Sequence, residues 1–234
     1  PAFPGAPTYE IPPGSAAMRE MRRRLGDEGV RVFDIEFVTV GEGFAARDLA
    51  AVLESAGELG ALRLSVCGDD PDRSRLVASF AELCDLAAGF GVGVDLECMA
   101  WRRVASLPDA VRVVLDAGRP NGGVLVDALH LSRTGGSPGD LRDIPPGLIR
   151  SAQLCDAPAG MPGSTDAIIQ EARSGRLPPG EGALPLRELL AELPDGAALS
   201  VEVPMGDGTP AETRARRVFE ATQRLFTEVS GGAR

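Results

Sequence analysis

Glu97, Asp127, Gln153 and Glu202 each stand at or near the end of a short apolar run: VGVDLE, GVLVD, SAQL and LSVEV. Glu36 in FDIEF repeats the pattern. If the runs are strands of one parallel sheet, their C-terminal ends converge on a shared mouth. Three carboxylates gathered in apolar surroundings repel one another and lose hydration, so they require a compensating cation. A divalent metal meets that need with the fewest assumptions. The donor set is all oxygen, which favours Mn²⁺ or Mg²⁺ over Zn²⁺, because zinc usually recruits His or Cys. The competing reading is a set of unrelated strand-end polar residues with local hydrogen-bond partners. Recurrence on successive strands weighs against it.

The only histidine, His130, lies three residues beyond Asp127 in VDALH. A lone His is more often structural than catalytic. This one falls a turn past the strand end, where it can lean over the mouth without ligating the metal and hydrogen-bond or polarise a substrate oxygen. Arg133, followed by Gly135 and Gly136, reads as a mobile, anion-friendly loop, although an exposed Arg is usually just solvated. GRLPPGEG (175–182) is a second candidate substrate loop through Arg176, or a plain connection between helices. Trp101 closely follows Glu97, either as an aromatic wall beside the metal or as a packed core residue.

Composition removes several classes of chemistry. All 24 basic residues are arginine, so mechanisms that need a protein lysine Schiff base are excluded. No Walker-type motif is present, and no GxGxxG opens a helix after a strand. The net charge of −10 comes with no basic cluster large enough to track a phosphate backbone, which argues against nucleic acid as a partner. No apolar run approaches the ~18 residues of a membrane span. No signal peptide is visible, and Cys67, Cys84, Cys98 and Cys155 lack zinc-like spacing; reduced thiols in the cytoplasm are the expectation. A small-molecule substrate and a possible homo-oligomer complete the expected partners.

The elements that must carry these residues alternate. Apolar runs at 30–37, 61–68, 92–99, 122–129, 150–157 and 198–204 read as six strands. Helices are predicted at about 16–28, 44–59, 71–89, 101–117, 164–174, 185–193 and 210–229, with Asp70-Pro71 opening the third. Glu97 to Asp127 is 30 residues and Asp127 to Gln153 is 26. A βα period near 30 residues suits a TIM barrel of eight units and about 250 residues, although doubly wound sheets share the alternation. The chain is therefore read as one α/β domain over residues 1–234, a (β/α)8 barrel with about six of its units present. The proline-rich PAFPGAPTYEIPPGS reads as a long loop, and about two further βα units (~50 residues) are expected to precede it.

ECMAW (97–101), VDALH (126–130), QLCDAP (153–158), RLPPGEG (176–182) and LSVEVP (199–204), in this order, resemble the xylose isomerase-like TIM-barrel family of sugar isomerases and epimerases. The resemblance covers roughly residues 90–205. It implies one divalent metal held by Glu97, Asp127, the position of Gln153, and Glu202. It further implies that Glu97 and Glu202 face opposite sides of the substrate and exchange its protons, with His130 binding substrate. The departure is Gln153, where sugar epimerases commonly carry His; an amide oxygen still suits Mn²⁺ or Mg²⁺.

A Gln there, with ExxAW, DxxH and QLxDAP, also resembles the 3-dehydroshikimate dehydratases of the same superfamily. Both reactions begin with proton removal next to a carbonyl. Reprotonation then gives an isomer or epimer, whereas loss of water gives an aromatic acid. The isomerase or epimerase is placed first because that group is the larger. A relative of the multi-zinc endonucleases is disfavoured by the single His and the acidic charge. A metal-free barrel that only binds a small molecule is the remaining reading.

Overall fold

Strands β3 (Gly93–Glu97) and β4 (Gly122–Asp127) are buried along their whole length, as parallel strands covered on both faces must be. The computed structural model describes residues 10–231, so most of the proline-rich opening lies outside the described residues. The other strands are β1 (Asp34–Gly41), β2 (Arg63–Asp69), β5 (Ile149–Leu154) and β6 (Ala198–Val201). They follow one another in the sheet in chain order, β1-β2-β3-β4-β5-β6. The β1/β2, β2/β3 and β5/β6 pairs are parallel, and helices supply the crossovers that parallel pairing requires. These helices are α1 (Ala16–Asp27), α2 (Ala50–Leu59), α3 (Arg73–Ala88), α4 (Leu107–Ala117), α5 (Ala128–Arg133), α6 (Thr165–Ser174), α7 (Leu186–Glu192) and α8 (Ala211–Gly231).

The chain resolves into two compact units that divide within β4. The first runs to Glu97 and includes Asp109–Val124. Its core is built from Met18, Leu53, Leu64, Val66, Phe80, Leu83, Val94 and Leu96, all at most 1% exposed. A polar cluster sits near its strand starts. The Arg63 guanidinium donates to the fully buried Asp95, with Nε–Oδ2 2.9 Å, and Ser65 Oγ lies 3.4 Å from Asp34. Burial pushes the Asp34 carboxyl above its ordinary range, and the nearby Asp95 charge adds to the effect. Gly93 makes the Arg63 geometry possible, because a Cβ there would lie 1.8 Å from Arg63 Nη1.

The second unit comprises Cys98–Pro108 and the chain from Leu125 onwards. Its core includes Leu129, Leu154, Leu186 and Leu189. From α8 it takes Val218, Ala221 and Leu225, whose i, i+3, i+7 spacing forms one helical face. Among the described residues no helix is long and apolar enough to cross a membrane.

Several predicted boundaries move. The helix expected from 101 starts at Leu107, with Pro108 in its first turn where no N–H is needed. Residues 101–106 form turns instead, closed by Arg102 N–H to Met99 O and Met99 N–H to Val104 O. The third helix opens at Asp72, whose side chain accepts from Arg75 N, rather than at Asp70-Pro71. Asp70 instead accepts from Asp72 N and pairs with Arg75. β1 begins at Asp34 and not at 30, because its pairing starts opposite Arg63. The run 122–129 is interrupted at Asp127, where α5 begins.

Candidate active site

The site grows from the end of β4. Asp127 is the N-cap of α5, and its Oδ1 accepts the backbone N–H of His130 at 2.8 Å. The cap thereby fixes the backbone of the residue that carries the imidazole. Asp127 Oδ2 accepts from Arg176 Nη1 at 2.5 Å. Arg176 is only 3% exposed and also donates Nε to Ala172 O at 3.0 Å. Its Nη1 lies 3.4 Å from both Cys155 Sγ and Glu202 O, while Nη2 reaches Glu202 Oε2 at 3.1 Å. His130 Nε2 is 3.5 Å from Nη2, and Trp101 meets the imidazole edge to face with centroids 5.1 Å apart.

Two antiparallel bridges hold Arg176 in place. Its neighbour Gly175 bridges to Met205 just beyond Glu202, and Leu177 bridges to Asp156 just beyond β5. The segment 175–182, read from the sequence as a candidate substrate loop or a plain connection between helices, is pinned on both sides of the arginine. The Arg133 reading is corrected. Arg133 lies on α5, 5% exposed, with Nε and Nη2 on the Glu171 carboxylate at 2.7 and 2.9 Å and Nη2 also on Pro158 O at 2.9 Å. It belongs to no mobile loop.

Burial sets the charges. It pushes the Asp127 carboxyl upward, but the Arg176 charge, His130 and two hydrogen bonds outweigh it and hold the group below its ordinary range. Burial also opposes the Arg176 charge, and Asp127, Cys155 and Glu202 overcome it, so the guanidinium stays protonated. His130 is lowered to about 4, mainly by burial and further by Arg176, and is a neutral imidazole at neutral pH. The Cys155 thiol is driven well above its usual range by burial, so it acts as a packed acceptor and not as a nucleophile.

Within the second unit, Asp127, His130, Trp101, Arg176 and Glu202 thus come together. Gln153 is 4% exposed and pairs in register with Ser200, two residues before Glu202, so strand alternation puts Gln153, Ser200 and Glu202 on one face. Glu97 closes β3 in the first unit and is 5% exposed. The donor set suits a hard divalent cation. Asp127 and Glu202 already converge on one buried positive group, Arg176, and an ionised carboxylate has about four lone-pair sites, of which Asp127 uses two. An oxygen of Asp127 and a ring nitrogen of His130 lie within 4.8 Å of each other, so the imidazole is close enough to join the set. Sequence reasoning missed Cys155 and Asp156 as parts of this architecture; both lay inside the quoted QLCDAP, with no charge pattern to mark them.

Comparison with known proteins identifies the family of the fold. The 3-dehydroshikimate dehydratase of Pseudomonas aeruginosa is 28% identical over 227 residues, 90% of this chain. That stretch is 35% of the relative, so the chain spans about a third of its length. A solved structure of the IOLI protein with a bound zinc atom superposes with a TM-score of 0.78 at 16% identity, covering 92% of this chain and 83% of that one. The 3-keto-D-glucoside 4-epimerase of E. coli gives 0.69 at 17% identity, covering 90% and 84%. The family profile described as a xylose isomerase-like TIM barrel matches residues 3–225. Nearly the whole chain, with its βα units in sheet order, belongs to the xylose isomerase-like TIM-barrel family.

Proposed function

We propose that this chain carries a divalent-metal-dependent site that removes a proton from carbon next to a carbonyl. Its substrate is a cyclic hydroxy-keto acid of the 3-dehydroshikimate type, and loss of water is the outcome. The observation that carries the reading is the convergence of Asp127, Glu202 and neutral His130 on one buried cation, Arg176. Gln153, in place of the His common in sugar epimerases, and the similarity to a named dehydratase favour dehydration over epimerisation.

Glu97, Asp127, Gln153 and Glu202 are the residues that would hold the metal, with Mn²⁺ or Mg²⁺ matching their oxygens. The bound cation supplies stabilisation of negative charge on the carbonyl oxygen. Glu202, with its side chain 38% exposed, is open to a ligand and takes the proton. The electron pair left on carbon moves towards the carbonyl oxygen. Its return expels the hydroxyl from the next carbon, and the captured proton leaves with that hydroxyl as water. Loss of a further ring proton, returned to oxygen, completes the aromatic acid. His130, held neutral, hydrogen-bonds a substrate oxygen, and Trp101 walls the imidazole. Arg176 keeps the Asp127 and Glu202 carboxylates apart at fixed positions.

The isomerase or epimerase reading shares the first step and sends the proton back to carbon from the opposite face, with Glu97 as donor. The epimerase neighbour supports keeping it as the second reading. Incubation of the chelator-stripped protein with 3-dehydroshikimate and Mn²⁺ separates the two. An ultraviolet-absorbing aromatic product is expected. No aromatic product, together with deuterium uptake from D₂O next to the carbonyl of a keto sugar, would transfer the assignment to the epimerase class.

A further inference from the structure

Asp156 is a carboxylate that the proposed reaction does not use, yet it is only 1% exposed. Its three side-chain hydrogen bonds all come from backbone amides. Oδ1 accepts from Ala157 N and Leu184 N, and Oδ2 accepts from Gly180 N, each at 2.9 Å. Its own backbone forms the bridge to Leu177, with N–O distances of 2.7 and 2.8 Å. Ala183 N closes the ring onto Ala157 O at 2.9 Å. One carboxylate at the end of β5 therefore gathers the whole 177–184 turn, and the residue immediately before that turn is Arg176.

The glycines of the turn obey the same constraint. Gly180 adopts a φ of 84°, a left-handed conformation that aims its N–H at Asp156. A Cβ at Gly182 would sit 2.4 Å from Asp156 Oδ1 and 2.5 Å from Ala157 O, although Gly182 itself is exposed. The PGEG of the sequence is thus spaced to fit around Asp156.

We propose that Asp156 is a positioning residue: it locks the 177–184 turn so that Arg176 is delivered to Asp127 and Glu202. The functional half of this claim rests on the reading of Arg176 and Glu202 given above, and the positioning half does not. Asp156→Asn keeps size and one acceptor but turns an NH₂ towards one of the backbone donors. Gly182→Ala strains the same contact from the other side.

The test compares both variants with the wild type by site-resolved hydrogen exchange at the Gly180 and Leu184 amides and at Arg176 Nε–H, and by steady-state kinetics on 3-dehydroshikimate with Mn²⁺. Roughly tenfold faster exchange at Gly180 and at Arg176 Nε–H is expected. With it, kcat should fall about tenfold while KM changes less than twofold, and Mn²⁺ affinity should weaken too, because Arg176 holds Glu202, which is both the base and one of the residues that would hold the metal. Unchanged exchange at Arg176 in both variants overturns the proposal. Loosened exchange with an unaltered kcat per folded molecule reduces Asp156 to a purely structural role and overturns it too. If the wild type turns over neither 3-dehydroshikimate nor a keto sugar, the functional reading fails, while the exchange data still decide whether Asp156 positions Arg176.

Discussion

Arg176 and Asp127 form a buried pair in which each neutralises the other, and removing one partner of such a pair typically costs about 3–5 kcal/mol. Arg176→Ala should therefore lower the urea midpoint of the metal-free protein strongly. Mn²⁺ should recover more stability in that variant than in the wild type, since the metal replaces the missing cation between Asp127 and Glu202. Equal Mn²⁺ effects in the two proteins would contradict a shared charge centre. Asp127→Ala makes the complementary case. Wild-type protein at a hundred times Kd gains about 2.7 kcal/mol from one-site binding, worth several degrees in Tm, and the variant should gain none. The residue types of this site were legible in the sequence, because strand-end carboxylates recur with the period of the fold. Arg176 was singled out there only as a candidate substrate residue, and its pairing with Asp127 and Glu202 was not legible. Arg176 lies 49 residues from Asp127 and 26 from Glu202, and charge compensation depends on distance in space.

At the scale of elements, all six strands were readable from continuous apolar runs, and their ends were not. β4 stops at Asp127 because that side chain turns back to cap α5, an event that hydrophobicity does not register. The helix expected at 101 was read through a segment rich enough in apolar residues to look helical, whereas its true start is fixed by Pro108. Register carries a further cost in the first unit. Gly93 lies opposite Arg63, and any side chain at that position must displace the guanidinium from Asp95. Gly93→Ala is expected to destabilise the fold by an amount comparable to Arg63→Ala, about 3–5 kcal/mol, read from equilibrium denaturation. A loss under about 1 kcal/mol in Arg63→Ala would show that Asp95 finds another partner.

For the molecule as a whole, the four cysteines are all buried, and none is in a disulfide. The Cys84 thiol is pushed up to about 12, chiefly by burial. In the unfolded chain it ionises near 9, so between pH 9 and about 12 the unfolded state gives up a proton that the folded state retains. Stability is fully present below pH 9 and falls as pH rises through that window, by about 1.4 kcal/mol per unit for this one group. Urea midpoints at pH 8 and 10.5 should show the fall, and Cys84→Ala should reduce its slope, leaving the part that comes from Cys155, whose thiol burial also drives up. The repeat of βα units near 30 residues, which suits a TIM barrel and is shared by doubly wound sheets, is a property of the whole chain and survives local misreadings of boundaries.

One carboxylate, Asp127, touches both the first turn of α5 and the guanidinium of Arg176. The imidazole of His130 therefore rides on the same hinge as the charge centre. The backbone that carries the imidazole and the guanidinium are tethered to the two oxygens of a single side chain, so a shift of Asp127 would disturb both contacts at once.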